Sequence, residues 1–126
     1  MLTLEMVSYR YPGTARRVLR DIDLTLADGE VVGVVGANEA GKTTLALVCS
    51  ALAPKSVGGA LEGRVAVDGE DLADRQMYEV AALVGICFQN PASQLSQVAD
   101  TVFEEVAFGA LNLGLDRLEV VRRTTA

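Results

Sequence analysis

Apolar and other residues alternate from the start of the chain, with Leu2, Leu4 and Met6 set against Thr3, Glu5 and Val7. A period of two predicts an edge-type strand with one buried face. Ile22, Leu24 and Leu26 repeat the pattern against Asp21, Asp23 and Thr25. Leu61, Gly63, Val65 and Val67 repeat it again and end at an Asp68-Gly69 turn. Tyr11-Pro12-Gly13-Thr14 and Asp28-Gly29 also read as turns. Two segments break the alternation. Val31–Val35 (VVGVV) and Leu83–Phe88 (LVGICF) are apolar on both faces, which predicts strands covered from both sides, as in a parallel α/β sheet. Helical spacing begins after Thr43: Leu45, Val48, Cys49 and Leu52 form one face, and Pro54 is the expected stop. Asp74–Ala82 reads as a short helix. Thr101-Val102-Phe103-Glu104 is a capping box opening a helix to about Leu113, with Gly114 closing it. A last helix is expected to start at Asp116, with Ala126 still inside it.

The chain has 126 residues, a length that suits one domain. Its net charge of −6 argues against a nucleic-acid partner bound through a broad basic surface. No apolar run approaches the roughly 20 residues that span a bilayer. MLTLEM has no basic segment ahead of an apolar one, so it does not read as a secretory signal. Two cysteines without scaffold spacing fit a reducing cytosol. Cys49 and Cys87 are expected on buried elements, as core residues. The absence of histidine removes imidazole acid–base chemistry and imidazole metal ligands from this chain.

The strongest chemical signal follows the first two-sided strand. Gly36-Ala37-Asn38-Glu39-Ala40-Gly41-Lys42-Thr43 fits GxxxxGK[ST], with Thr44 next in line and a helix beyond. Glycines let backbone amides turn inward around a phosphate, and a helix N-terminus adds free N–H groups and partial positive charge. Lys42 supplies a point charge for β- and γ-phosphates, and Thr43 a hydroxyl for Mg²⁺. The expected fold is therefore α/β: a P-loop core with a parallel sheet, plus a small antiparallel β subdomain. The expected ligands are ATP and Mg²⁺.

Phe88-Gln89-Asn90-Pro91, Gln94-Leu95 and the run Thr101–Gly109 (TVFEEVAFG), taken with Tyr11-Pro12-Gly13, extend the match along the chain. In these segments the sequence resembles the ATP-binding subunits of ABC transporters, most of all the energy-coupling factor group that powers uptake of vitamins and of cobalt or nickel. The resemblance implies that Tyr11 stacks on adenine, with Tyr9 a weaker competitor; a plain strand-end tyrosine is the alternative. It implies that residues 36–44 bind nucleotide, and that Lys42 and Gln89 take part in catalysis. Thr43 and Gln89 would hold Mg²⁺, with a polar strand terminus as the alternative for Gln89. The implied partners are a transmembrane transporter subunit, contacted through the loop after Gln89, and a second ATP-binding subunit. The implied location is the cytoplasmic face of the cell membrane.

The chain departs from the family pattern at Ala37, Glu39 and Ala40, where proline, glycine and serine are common. Glu39 sets a carboxylate near a triphosphate unless it points away. The LSGGQ signature, the acidic strand with its catalytic glutamate and the switch histidine do not occur in the chain. The expectation is the N-terminal part, residues 1–126, of one ATP-binding domain, inactive as an ATPase by itself. A nucleotide-binding piece without hydrolysis and a soluble non-transport ATPase are the other readings. Asp21, Asp23 and Asp28 read as a solvated strand face and turn, and Glu104-Glu105 as residues favouring a helix N-terminus.

Overall fold

The computed structural model describes residues 1–125; Ala126, expected within the last helix, lies outside the described residues. The elements in chain order are β1 (Leu2–Arg10), β2 (Leu19–Leu26), α1 (Lys42–Cys49), α2 (Leu52–Lys55), β3 (Ala60–Val67), β4 (Glu70–Asp71), α3 (Met77–Leu83), α4 (Val102–Asn112) and α5 (Arg117–Thr125). Short 3₁₀ turns occupy Leu72–Asp74 and Pro91–Gln94. The chain forms two compact units, one over Met1–Ile86 and one from Cys87 onward.

In the first unit the four strands form an antiparallel sheet in the order β2-β1-β3-β4. β1 is thus a central strand, not the edge strand that its alternation suggests. Asp68 and Gly69 both take positive φ between β3 and β4, which makes the tight two-residue hairpin expected of Asp-Gly.

A bulge corrects the inward face of β1. Leu4 pairs with Leu24 and Val7 with Ile22, so Glu5 and Met6 together oppose one residue of β2. The pairing with β3 shifts between Glu5 and Ser8 as well. Met6 has φ 50° and is exposed, whereas Leu4, Val7 and Tyr9 are buried. One extra residue exchanges the two faces of a strand, so the inward set changes from even to odd numbers. Asp21 and Asp23 serve this irregularity. Asp23 Oδ1 accepts from Met6 N at 2.8 Å, and Ser8 Oγ donates to Asp21 Oδ1 at 3.1 Å while accepting from Asp21 N at 2.8 Å.

One face of the sheet is covered by α1, by the turn after it and by the segment around Leu72 and Val80; Leu4, Val7, Tyr9, Leu19, Val48 and Leu72 are central to this core. Burying Val48 alone contributes about 1.5–3 kcal/mol. Cys49 is half-buried, and burial raises its thiol pKa. α1 stops before Pro54, because Ser50 leaves the helix and Ala51 takes a left-handed φ of 55°.

The predicted parallel strands are not formed among the described residues. Neither Val31–Val35 nor the residues after Leu83 join a ladder, and Val31 and Val35 are each 94% exposed. Leu83 itself ends α3. A strand is stabilised by hydrogen bonds to a neighbour, and an apolar run carries the preference without supplying that neighbour. Cys87, expected in the core, is exposed for the same reason.

In the second unit α4 begins as its capping box requires. Thr101 Oγ1 accepts from Glu104 N at 3.2 Å, and Glu104 Oε2 accepts from Thr101 N at 3.0 Å. Gly114 leaves the helix at φ 76°, with Leu115 N reaching back to Ala110 O at 3.2 Å. In α5 the Glu119 carboxyl is held down to about 2 by hydrogen bonds from Arg122 and then Arg123.

The bulge yields a stability prediction. Gly63 lies opposite Met6 with φ 86°, and a Cβ there would overlap the carbonyl oxygens of Met6 and Glu5. Gly63→Ala is expected to destabilise the protein by about 2–4 kcal/mol, combining positive-φ strain with backbone displacement. Urea denaturation measures this, and a change below about 0.5 kcal/mol contradicts the assigned register.

Candidate functional site

The loop that fits GxxxxGK[ST] closes on its own lysine. Lys42 Nζ donates to Gly36 O at 2.8 Å and to Ala37 O at 2.6 Å. Ala40 N donates to Ala37 O at 3.3 Å within the loop, and Glu39 sits at its bend with φ 64°. Asn38 is exposed on the same loop. The ammonium is held in place by acceptors weaker than a phosphate, so an arriving phosphate can replace them at little reorganisation cost.

Gly41 precedes α1 with φ 96°. Its missing side chain matters, because a Cβ there would sit 3.3 Å from Val18 O, Val18 Cγ1 and Leu19 Cδ2. The loop thereby packs onto the start of β2. No side chain caps the N-terminus of α1, and its first turn carries no acidic residue. Its free N–H groups and partial positive charge remain available to an anion.

A cleft of about 380 Å³ opens at this end of α1. Tyr11, Arg16, Val18 and residues 39–44 line it. Tyr11 is fixed from two sides: its hydroxyl lies 3.0 Å from Thr44 Oγ1, and its ring meets Tyr9 edge-on at 5.1 Å between centroids. Thr44 is buried, so its hydroxyl holds the tyrosine in place, whereas the Thr43 side chain is exposed in the cleft. Tyr9 is a core residue: it is 1% exposed, its hydroxyl donates to Gly58 O at 2.6 Å, and burial raises its phenol pKa. Of the two tyrosines, Tyr11 faces the cleft.

The site also contains residues that motif reading missed. Arg16 and Val18 line the cleft. The Arg16-Arg17 pair shows the charge in the sequence, but only the folded chain shows that Arg16 lines the cleft and that Arg17 pairs with Glu62. Gln89 belongs to the second unit, and the first unit's cleft is built without it. Gln89 is exposed, just ahead of a tightly tied turn. Asn90 Oδ1 accepts from Ala92 N at 3.1 Å, Gln94 Oε1 accepts from Phe88 N at 3.2 Å, and Ser96 Oγ donates to Glu105 Oε2 at 2.8 Å. Glu105 therefore ties the loop to α4, a role beyond a helix-start charge. Leu95 projects from this loop and is 55% exposed.

The donor set fits a nucleotide with a phosphate-bound cation. Among the described residues no group of three or more acidic or cysteine side chains could form a protein-only metal cage. Mg²⁺ commonly keeps waters and phosphate oxygens and takes only one or two protein ligands, and the Thr43 hydroxyl is suited to be one. No described helix is long and apolar enough to cross a membrane.

Comparison with known proteins agrees with this geometry. The family model described as ABC transporter matches residues 19–124. The cobalt import ATP-binding protein CbiO of Syntrophus aciditrophicus is 41% identical over 127 residues, an alignment covering all of this chain and 43% of that protein. The energy-coupling factor transporter ATP-binding protein EcfA2 of Symbiobacterium thermophilum is 42% identical, covering 97% of this chain and 42% of that protein. Among solved structures, cbiO1 of Clostridium perfringens, part of the ABC transporter complex cbiONQ, superposes with a TM-score of 0.76 at 27% identity. That match covers 97% of this chain and 46% of the other. The chain thus spans less than half the length of each of these proteins.

Proposed function

The chain belongs to the ABC transporter family, and from that premise we propose that it forms the nucleotide-binding N-terminal part of the ATP-binding subunit of an importer. The observation that carries the reading is Lys42, poised on the carbonyls of Gly36 and Ala37 at the uncapped start of α1, with Tyr11 in the same cleft. In this reading the loop amides of residues 36–41 and the first turn of α1 cradle the phosphates. Lys42 neutralises the β/γ charge, and the fixed ring of Tyr11 stacks on the base. Thr43, together with Gln89, would hold Mg²⁺. The ion, when bound, neutralises the charge that develops during phosphoryl transfer.

The relative named for cobalt import supports a metal-ion solute, and the relative described as part of the complex cbiONQ supports work within a transporter complex; the vitamin class and the transmembrane subunit rest on the sequence resemblance. A second ATP-binding subunit as partner and a position on the cytoplasmic face of the membrane are part of the same proposal and rest on the sequence resemblance. Hydrolysis in the intact subunit needs a group that orients or deprotonates water. The cleft of the first unit offers Lys42, Arg16, Thr43 and Glu39, and in this reading none of them is that group. The 126-residue chain alone is accordingly expected to bind nucleotide without turning it over.

Two variants test the assignment in the intact subunit. Lys42→Ala is expected to weaken ATP binding by about 2–4 kcal/mol, the loss of a charged hydrogen bond and its Coulomb attraction. Gln89→Ala is expected to lower turnover and leave ATP affinity nearly unchanged. Titration calorimetry and phosphate release read the two effects, and unchanged affinity in the lysine variant sinks the reading.

The loop Asn90–Gln97 is the proposed contact with the membrane subunit, on the strength of exposed Leu95 in a turn held from both ends. Single cysteines at Ser93 or Gln97, in a background lacking Cys49 and Cys87, are expected to crosslink to the transmembrane subunit in the assembled complex. Crosslinks confined to other partners contradict it.

A further inference from the structure

Arg16 is the second cation of the cleft, and neither the motif nor the family resemblance assigned it a role. It follows the Tyr11 turn and lines the cleft together with Tyr11, Val18 and residues 39–44. Of the three arginines close together here, Arg16 lines this cleft and Arg17 and Arg20 do not. Arg17 is committed to structure, donating to both oxygens of Glu62 at 2.9 and 2.8 Å. Arg64 is tied to Glu5, Asp71 and Gly69 O, and Arg75 to Glu70. Arg10 donates to Thr14 O at 3.4 Å. Arg16 takes part in none of the ion pairs among the described residues, although Glu39 lines the same cleft.

The charge balance of the cleft gives this residue a purpose. Lys42 contributes one positive charge, and Glu39 places a negative charge on the loop that would carry a triphosphate. Those two alone leave the protein walls neutral apart from the helix terminus. ATP keeps net negative charge even with Mg²⁺ bound, and a guanidinium lining the same cleft offers a donor in the form best suited to phosphate oxygens.

We propose that Arg16 is a nucleotide-binding residue that contacts the triphosphate and offsets the carboxylate of Glu39. The proposal rests on the nucleotide reading of this cleft and adds a residue to it. The guanidinium acts as a clamp on the phosphate chain, alongside the loop amides. The base is left to Tyr11.

The test measures binding of ATP and of inorganic tripolyphosphate to the intact subunit and its variants by competition with a fluorescent ATP analogue. Arg16→Gln is expected to weaken both ligands about ten-fold, because the lost contact is to phosphate. Arg16→Lys should recover most of the affinity, and Arg17→Gln, with the same change in net charge, should leave it unchanged. Glu39→Gln should strengthen both ligands, and the double variant Arg16→Gln/Glu39→Gln should return close to the starting affinity. Arg16 is exposed, so these variants are expected to fold. A loss for ATP with none for tripolyphosphate overturns the assignment, since Arg16 would then act on the nucleoside. Equal losses for Arg16→Gln and Arg17→Gln overturn it too, because net charge alone would explain them. If Lys42→Ala abolishes binding while Arg16→Gln changes nothing, this inference fails and the nucleotide reading stands. If Lys42→Ala changes nothing, the nucleotide reading fails and takes this proposal with it.

Discussion

The first turn of α1 approaches the start of β2 so closely that a side chain at Gly41 would meet both the backbone and the side chain of Val18. This contact joins a phosphate-loop helix to an antiparallel sheet, and the cleft exists because of it. Below it, Val48 carries the helix into the core. Beside it, the buried Thr44 hydroxyl meets Tyr11 and sets the position of its ring. The residues of the cleft therefore belong to elements far apart in sequence yet locked to one another by packing. Rigid elements hold binding groups more accurately than free loops do.

Electrostatics in the cleft follows from what is left unsatisfied. α1 has no capping side chain, and Lys42 rests on two carbonyl oxygens rather than a carboxylate. Both features leave positive character for an incoming anion. Glu39 works in the opposite sense, and its left-handed φ of 64° marks it as a residue at a position where glycine is easier. Glu39 and Arg16 line the same cleft.

The second unit is organised by polar tethers more than by a core. Ala107 and Val120 are buried, while Phe103, Val106, Leu111, Leu118 and Val121 are largely exposed. A groove of about 510 Å³ runs between α4 and α5. The loop ahead of α4 keeps its form through Asn90, Gln94 and the Ser96–Glu105 pair. Side-chain-to-backbone bonds of this kind shape a loop without apolar burial.

Local chemistry was legible in the sequence wherever cause and effect lie within a few residues. The GxxxxGK[ST] run, the Thr101–Glu104 capping box, the Asp68-Gly69 hairpin and the stop at Gly114 all appear where residue type demands them, since caps, turns and phosphate loops are decided by short-range geometry. The alternation of β1, β2 and β3 announced an antiparallel sheet, and Lys42 and Tyr11, singled out by motif and resemblance, line one cleft. Tertiary structure decided the rest. It made β1 central, moved Met6 outward through a bulge that two aspartates of β2 secure, and chose Tyr11 over Tyr9 for the cleft. It committed Arg17 to Glu62 and placed Arg16 at the cleft. It left Val31–Val35 and the residues after Leu83 outside any sheet, although their pattern asked for one. Each of these outcomes depends on which backbone lies alongside. A side-chain pattern states what a segment would bury, whereas hydrogen-bond partners and opposing surfaces come only from chain brought close by folding.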